Sequence, residues 1–214
     1  MFRKIEALFH KSIGRPGAKT VFSLALLIIV LGASPLFCAD QIVLVQTGNK
    51  DAALWTGFRK YLAGKGYAVS IHEAADTMEK QVETANRINK EKGRFMLVME
   101  MLPSPGGTDV FVAVSNAKKG KGRILEIEEI TGSHIAQSEE LAALIASRFQ
   151  KKVKAIPLFA LLGIDMPGVF LRLSVQKDRA LEAFDMLHDG MANYLKRGIK
   201  DERERKSERR NPPP

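Results

Sequence analysis

A charged residue stands in the middle of an otherwise apolar segment of the chain. Residues 166–177, MPGVFLRLSVQK, place Arg172 inside a run of Val, Phe and Leu. A run of this kind is typical of a central strand covered on both faces, where an unpaired charge is very costly. We therefore expect a carboxylate partner for Arg172, Glu100 first and Asp51 second, and a buried ion pair. The alternative is an edge strand on which Arg172 faces solvent.

A buried pair has a measurable consequence. Replacing Arg172 with Met would then cost about 3–5 kcal/mol, because the carboxylate would remain buried without a partner. A structural ion pair is a better interpretation of these residues than a reactive acid.

The other residues whose side chains could take part in catalysis form no complete catalytic set. None of the histidines after residue 40 lies at the His-x-x-His or His-x-x-x-His spacing of a metal site: these are His72, His134 and His188. The single cysteine, Cys38, excludes an intrachain disulfide and a cysteine-rich zinc cluster. No serine occupies a Gly-x-Ser-x-Gly turn, and no glycine-rich segment has the order of a phosphate loop.

The basic character of the chain belongs to its ends. Its formal charge is +9 over 214 residues. Residues 1–39 carry a net charge of +4 and residues 196–214 another +4, so the body between them is close to neutral. A nucleic-acid-binding surface would require clustered charge on the folded body. Nucleic acid is therefore not an expected partner.

The N-terminal segment has the layout of an export signal. Residues 1–20 are basic, and residues 21–39 contain no charged side chain. This pattern fits a signal peptide removed near residue 39, but the uncharged stretch is also long enough to remain as a membrane anchor. In both cases the basic side stays in the cytoplasm, and the body is expected in the periplasm or cell envelope.

The elements that position Arg172 alternate along the body. Strands are predicted at residues 41–46, 67–71, 94–100, 109–115, 123–130 and 169–173. Helices are predicted at residues 51–65 with Asp51 as N-cap, 77–91 with Asp76 or Thr77 as N-cap, 138–152 with Ser138 as N-cap, and 180–197. Alternation of this kind predicts an α/β domain of three layers, with a mainly parallel central sheet flanked by helices. Residues 198–214 are highly charged and are expected to form a disordered tail.

Several of these segments resemble one family of bacterial enzymes. MPGVFLRL and the following ALEAFDMLHDGMANYLKRG are similar to the MPAVLVE strand and final helix of the zinc-dependent N-acetylmuramoyl-L-alanine amidases. The opening IVL strand, the later GYAV, and ETAN at residues 83–86 resemble other segments of that family in the same order. The resemblance covers residues 41–197, and it implies an amidase-like domain of cell-wall turnover.

The residues that such an amidase would need are missing. Family members hold zinc with two histidines and a carboxylate, and use an acid to take up the proton of water. The turn that carries the first histidine is QTGNK here, and the strand that carries the second reads MLVME. Only Asp51 is available near the carboxylate position, and Arg172 matches the acid. An arginine cannot accept a proton at neutral pH.

The resemblance therefore implies a degenerate member with a vestigial groove. Its expected lining residues are Arg172, Glu100, Asp51, Gly48 and Met99. One function is a non-catalytic extracytoplasmic domain, without metal or other cofactor, that binds peptidoglycan or a cell-envelope protein and contacts the membrane only through its N-terminal segment. The alternative is an active amidase that binds zinc through non-standard ligands.

The N-terminal pattern yields a first testable prediction. Alkaline phosphatase fused after residue 60 should be active, because the enzyme folds only outside the cytoplasm and the basic n-region should remain inside. Activity staining of colonies measures this, with a fusion that lacks residues 1–39 as the inactive control. An inactive full-length fusion would contradict export.

Overall fold

The computed structural model describes residues 40–118, 120 and 126–210. The predicted signal or anchor at residues 1–39 and the end of the predicted tail at 211–214 lie outside these residues. The strands are β1 (Gln41–Lys50), β2 (Ala68–Glu73), β3 (Phe95–Pro103), β4 (Asp109–Ser115), β5 (Val153–Ile156) and β6 (Gly168–Val175). The helices are α1 (Ala52–Gly64), α2 (Met78–Lys90), α3 (Ile127–Gly132), α4 (Ile135–Arg148) and α5 (Ala180–Arg210).

The strands form one sheet in the order β2-β1-β3-β6-β4-β5. Neighbours run parallel except where β4 lies antiparallel to β6. Helices pack on both faces, so the predicted three-layer α/β domain with a mainly parallel sheet is confirmed. Because β6 lies between β3 and β4, it is an interior strand, and the alternative that placed Arg172 on an edge strand is wrong.

One face of the sheet carries the larger core. Alternate strand residues pack there against α1, α4 and α5, and we call it the three-helix face. The rings of Phe58 on α1 and Phe184 on α5 lie 5.0 Å apart, which joins two of the helices above the sheet. Fully buried strand residues of this face include Ile42, Leu44, Phe95, Leu97, Leu171 and Leu173.

The opposite face, the α2 face, has a smaller cover. Val43 and Val98 pack there against Ile88 of α2 and against apolar residues of segment 158–166. On β6 this cluster reaches only the half-buried Phe170. The carboxyl-terminal half of the α2 face therefore lies beyond this apolar cluster.

Two amide side chains of α2 hold segment 158–166 in place. Gln81 is 1% exposed and donates to two main-chain carbonyls of the segment. Asn89 donates to the carbonyl of Gly163 at 2.8 Å and accepts from the N–H of Asp165 at 2.8 Å. These bonds satisfy backbone groups that lie outside any strand pairing.

The helix starts agree with the predicted caps in two cases of three. Asp51 caps α1 by accepting from two main-chain N–H groups, and Thr77 caps α2. Ser138 was predicted as a cap but lies one turn inside α4, which begins at Ile135. Its buried hydroxyl instead accepts from the N–H of Gly168 at 3.0 Å, which ties α4 to the start of β6.

Between β4 and β6, the structure contains two elements that the sequence did not predict. Of the strand predicted at 123–130, residues 123–125 lie outside the described residues. Residues 127–130 form α3 instead, where the Glu129 side chain accepts from the Glu126 N–H at 3.0 Å. Alternating apolar residues resemble a strand, and this local cap favours the helix. The unpredicted β5 has only four residues, two of them exposed, and becomes a strand by pairing with β4.

The final helix is longer than predicted. It was expected to end at residue 197 and to give way to disorder, but α5 continues to Arg210. The added segment is rich in Glu, Lys and Arg, which have high helix propensity even without apolar partners. Residues 198–210 are therefore helical, which corrects the tail prediction.

No helix within the described part of the chain is both long and apolar enough to cross a bilayer. The uncharged stretch at 21–39 lies outside that part.

The contact between α4 and α5 yields a second prediction. A Cβ at Gly190 would lie 2.8 Å from the Ile145 Cα and 3.1 Å from its N, so the two helix backbones would have to move apart. Gly190→Ala should destabilise the protein by about 1–3 kcal/mol despite its better helix propensity. Gly64→Ala is the control, because nothing lies within 4 Å of that position. Urea unfolding measures both, and equal midpoints would contradict the close contact.

Candidate functional site

The carboxyl edge of the sheet contains a topological switch point between β1 and β3. The chain leaves β1 through α1 toward β2, whereas it leaves β3 in the opposite direction, toward β4 beyond β6. Connections that diverge from adjacent parallel strands leave a crevice at their carboxyl ends, where ligands of open α/β sheets bind. The fold by itself therefore marks this edge as the candidate site.

A bulge in β1 lies at this edge. Gln46 pairs with Met99 and Lys50 pairs with Met101, so residues 47–49 stand opposite Glu100 alone. The predicted turn after residue 46 is thus an irregular continuation of the strand. Gly48 has a φ of +66°, a conformation that favours glycine over other residues.

Gly48 also provides room for the Glu100 side chain. A Cβ built on Gly48 would lie 2.2 Å from the Glu100 Oε1, so the carboxylate rests against the glycine backbone. Any larger residue at this position would displace the carboxylate. The bulge therefore determines where Glu100 points.

Arg172 forms the predicted ion pair with Glu100. The two residues are direct neighbours in the β3–β6 register, and the Arg172 Nε donates to the Glu100 Oε2 at 2.5 Å. The choice of Glu100 as first partner is confirmed. The prediction that this pair is buried was wrong: the Arg172 side chain is 53% exposed and that of Glu100 is 17% exposed. The charge is tolerated in β6 because the apolar cover of the α2 face ends before it.

Phe111 lies on the other side of Arg172. The antiparallel register places Phe111 of β4 directly opposite Arg172, so Glu100, Arg172 and Phe111 form one row across three strands on the α2 face. The Phe111 ring meets that of Phe170 edge to face, with centroids 6.2 Å apart. Both rings and Leu102 of the next row are half-buried. Arg172 therefore projects from a partly apolar surface.

Asp51 and Met99 have other roles. The Asp51 Oδ1 caps α1, and its Oδ2 lies 3.4 Å from the Lys177 Nζ. The N–H of Leu54 is the main cause that lowers the pKa of Asp51. Met99 is fully buried on the three-helix face. Of the five predicted groove residues, the structure brings together Gly48, Glu100 and Arg172. Asp51 lies at the same edge, beside Lys177. Met99 lies on the opposite face of the sheet.

Two carboxylates at this edge are engaged with other groups of the protein. Glu100 accepts from a guanidinium, and Asp51 caps a helix and lies beside an ammonium group. The histidines after residue 40 lie elsewhere: His72 pairs with Glu91, His134 with Asp165, and His188 packs against Tyr61 and Tyr67. Within residues 40–118, 120 and 126–210, no group of three or more histidine, cysteine or carboxylate side chains could hold a metal.

A depression that the sequence did not predict lies at the amino edge of the sheet. It encloses about 560 Å³ and is lined by residues just before β3 and β6 and by α4 and α5. His134 lies inside it, 2.8 Å from Asp165 through Nε2 and 3.0 Å from Gln137 through Nδ1. Both ring nitrogens of His134 are therefore in contact with neighbouring side chains. These residues come from separate segments, and no local motif signals their meeting.

Comparisons with known proteins found no matching family model and no matching curated protein. Solved structures do show similarity. The N-acetylmuramyl-L-alanine amidase Ami1 from Mycobacterium smegmatis is 12% identical with a TM-score of 0.49, over 73% of this chain and 97% of that one. The CwlD amidase from Clostridioides difficile, solved with the GerS lipoprotein, is 11% identical with a TM-score of 0.47, over 73% and 98%. At these values the similarities establish neither the family of this chain nor its activity.

The exposure of Arg172 revises the expected energetics of its ion pair. Because half of its side chain is in solvent, the coupling free energy between Arg172 and Glu100 should be about 1 kcal/mol or less. A double-mutant cycle of Arg172→Met and Glu100→Met, followed by urea unfolding, measures this coupling. A value of about 3–5 kcal/mol would show instead that the pair behaves as a buried one.

Proposed function

We propose that this chain is a non-catalytic binding domain that acts outside the cytoplasm and recognises peptidoglycan through the carboxyl edge of its sheet. The observation that carries the proposal is the Arg172–Glu100 pair at the switch point. The cell-wall ligand follows from the sequence resemblance to amidases, and the compartment follows from the export pattern of residues 1–39.

The pair argues against acid–base catalysis at this edge. A general base must accept a proton from a reacting water, and the guanidinium of Arg172 stays protonated at all relevant pH values. Glu100 is the nearest carboxylate, but its Oε2 accepts from Arg172 and its Oε1 lies against Gly48. Arg172 therefore cannot serve as the base at this position.

The same features favour binding. A half-exposed guanidinium beside half-buried aromatic rings combines a directional polar group with an apolar contact surface, the usual composition of a ligand site. An envelope protein that uses this surface is the other candidate partner, and binding to isolated peptidoglycan sacculi distinguishes the two.

The proposal predicts binding to cell walls without cleavage. The purified chain should sediment with isolated peptidoglycan sacculi and should release no soluble muropeptides, with or without added zinc. Arg172→Glu should also release none, because it restores an acid but none of the missing metal ligands. Sedimentation and chromatography of the supernatant measure the two effects, and bovine serum albumin is the control for nonspecific sedimentation.

Two outcomes contradict this function. Muropeptide release by the wild-type chain that a chelator abolishes would establish the active zinc amidase. Failure to sediment with sacculi, together with specific capture of an envelope protein that Arg172→Gln abolishes, would replace peptidoglycan with a protein partner.

A further inference from the structure

The guanidinium of Arg172 is only partly used by the protein. Its Nε donates to Glu100, and among the described residues no other side chain pairs with it. A guanidinium carries five N–H groups in a rigid plane, so a bond through Nε leaves the pair of terminal nitrogens available on another side. The 53% exposure of the side chain shows that solvent reaches this group.

The orientation of the guanidinium is constrained. Glu100 is 17% exposed and rests against Gly48, so it offers a fixed acceptor to the Nε. Arg172 itself extends from an interior strand whose backbone is paired on both sides. An arginine held in this way loses less side-chain entropy when it binds a ligand than a free surface arginine would.

The chemistry around Arg172 selects the type of anion. Glu100 already neutralises its charge, and the neighbouring Phe111, Phe170 and Leu102 are apolar. The acidic Asp109 in the following row is paired with Lys151 at 2.7 Å. The ammonium groups of Lys151 and Lys177 are themselves paired with carboxylates, so neither is free to share a dianionic phosphate with Arg172. A planar monoanion next to an apolar group matches both the guanidinium and the half-buried rings.

We propose that Arg172 binds the carboxylate of a short peptide through its terminal nitrogens, with the adjacent apolar part of the peptide against Phe111 and Leu102. The proposal rests on the proposed function and names the group that the site recognises. Glu100 is a positioning residue, since it holds the guanidinium without touching the ligand. Gly48 acts one step further away, through the space it leaves for Glu100.

The test uses the full chain and a simple probe. N-acetyl-alanyl-alanine with a free carboxylate should bind about tenfold more tightly than the same peptide with a terminal amide, as expected for charge-assisted bonds. Arg172→Gln should remove this preference. Arg172→Lys should restore little of it, because an ammonium group cannot bind a carboxylate in a bidentate manner. Ligand-observed NMR titration measures all of these affinities.

Matched variants separate a specific effect from a loss of folding. Arg148→Gln changes an exposed arginine of α4, which packs on the three-helix face, and should leave peptide binding unchanged. Glu100→Gln keeps an acceptor for the Arg172 Nε and removes the charge that offsets it, so the preference for the carboxylate should remain, whereas Arg172→Gln should abolish it. Circular dichroism should report the wild-type helix content for each variant.

The outcomes for site and function differ. Equal binding of carboxylate and amide by the wild type, or an unchanged preference in Arg172→Gln, would overturn the proposed site even if the chain sediments with sacculi. Carboxylate preference that depends on Arg172, without binding to sacculi, would support the site and reject peptidoglycan as its source.

Discussion

A charge on a strand covered on both faces requires either a buried partner or a position where one of the covering layers ends. This constraint explains the placement of Arg172. On the three-helix face, Leu171 and Leu173 are fully buried, whereas on the α2 face the apolar cluster reaches only Phe170. Arg172 follows at the first position beyond it. The charge is therefore compatible with an interior strand, because Arg172 is accessible to solvent where the α2 layer ends.

The proposed binding site lies at the same edge. The connections from β1 and β3 diverge there, and the bulge in β1 places Gly48 against Glu100. Glu100 then fixes Arg172 through one nitrogen. A chain of contacts thus leads from a backbone irregularity to an oriented guanidinium, and each contact is defined by an observed register or distance.

The proposed binding role agrees with how the side chains at this edge are engaged. At this edge Asp51 is occupied by helix capping and Lys177, and Glu100 by Arg172. Binding requires only that donors remain accessible in a fixed direction, and Arg172 meets that requirement.

Sequence patterns by themselves determined the layers of this protein and one contact of its site. Apolar periodicity and local caps located β1, β3, β4, β6 and the main helices, because burial and capping depend on nearby residues. The cost of an unpaired charge in an apolar strand predicted the Arg172–Glu100 pair.

Only the tertiary structure decided what depends on neighbours distant in sequence. The exposure of Arg172 follows from where the α2 layer ends, and the position of Phe111 follows from the antiparallel register of β4 and β6. The strand β5 exists through its pairing with β4, and Met99 faces the core because the register of β3 directs it there. Such features arise from pairing and packing between segments, which no local pattern encodes.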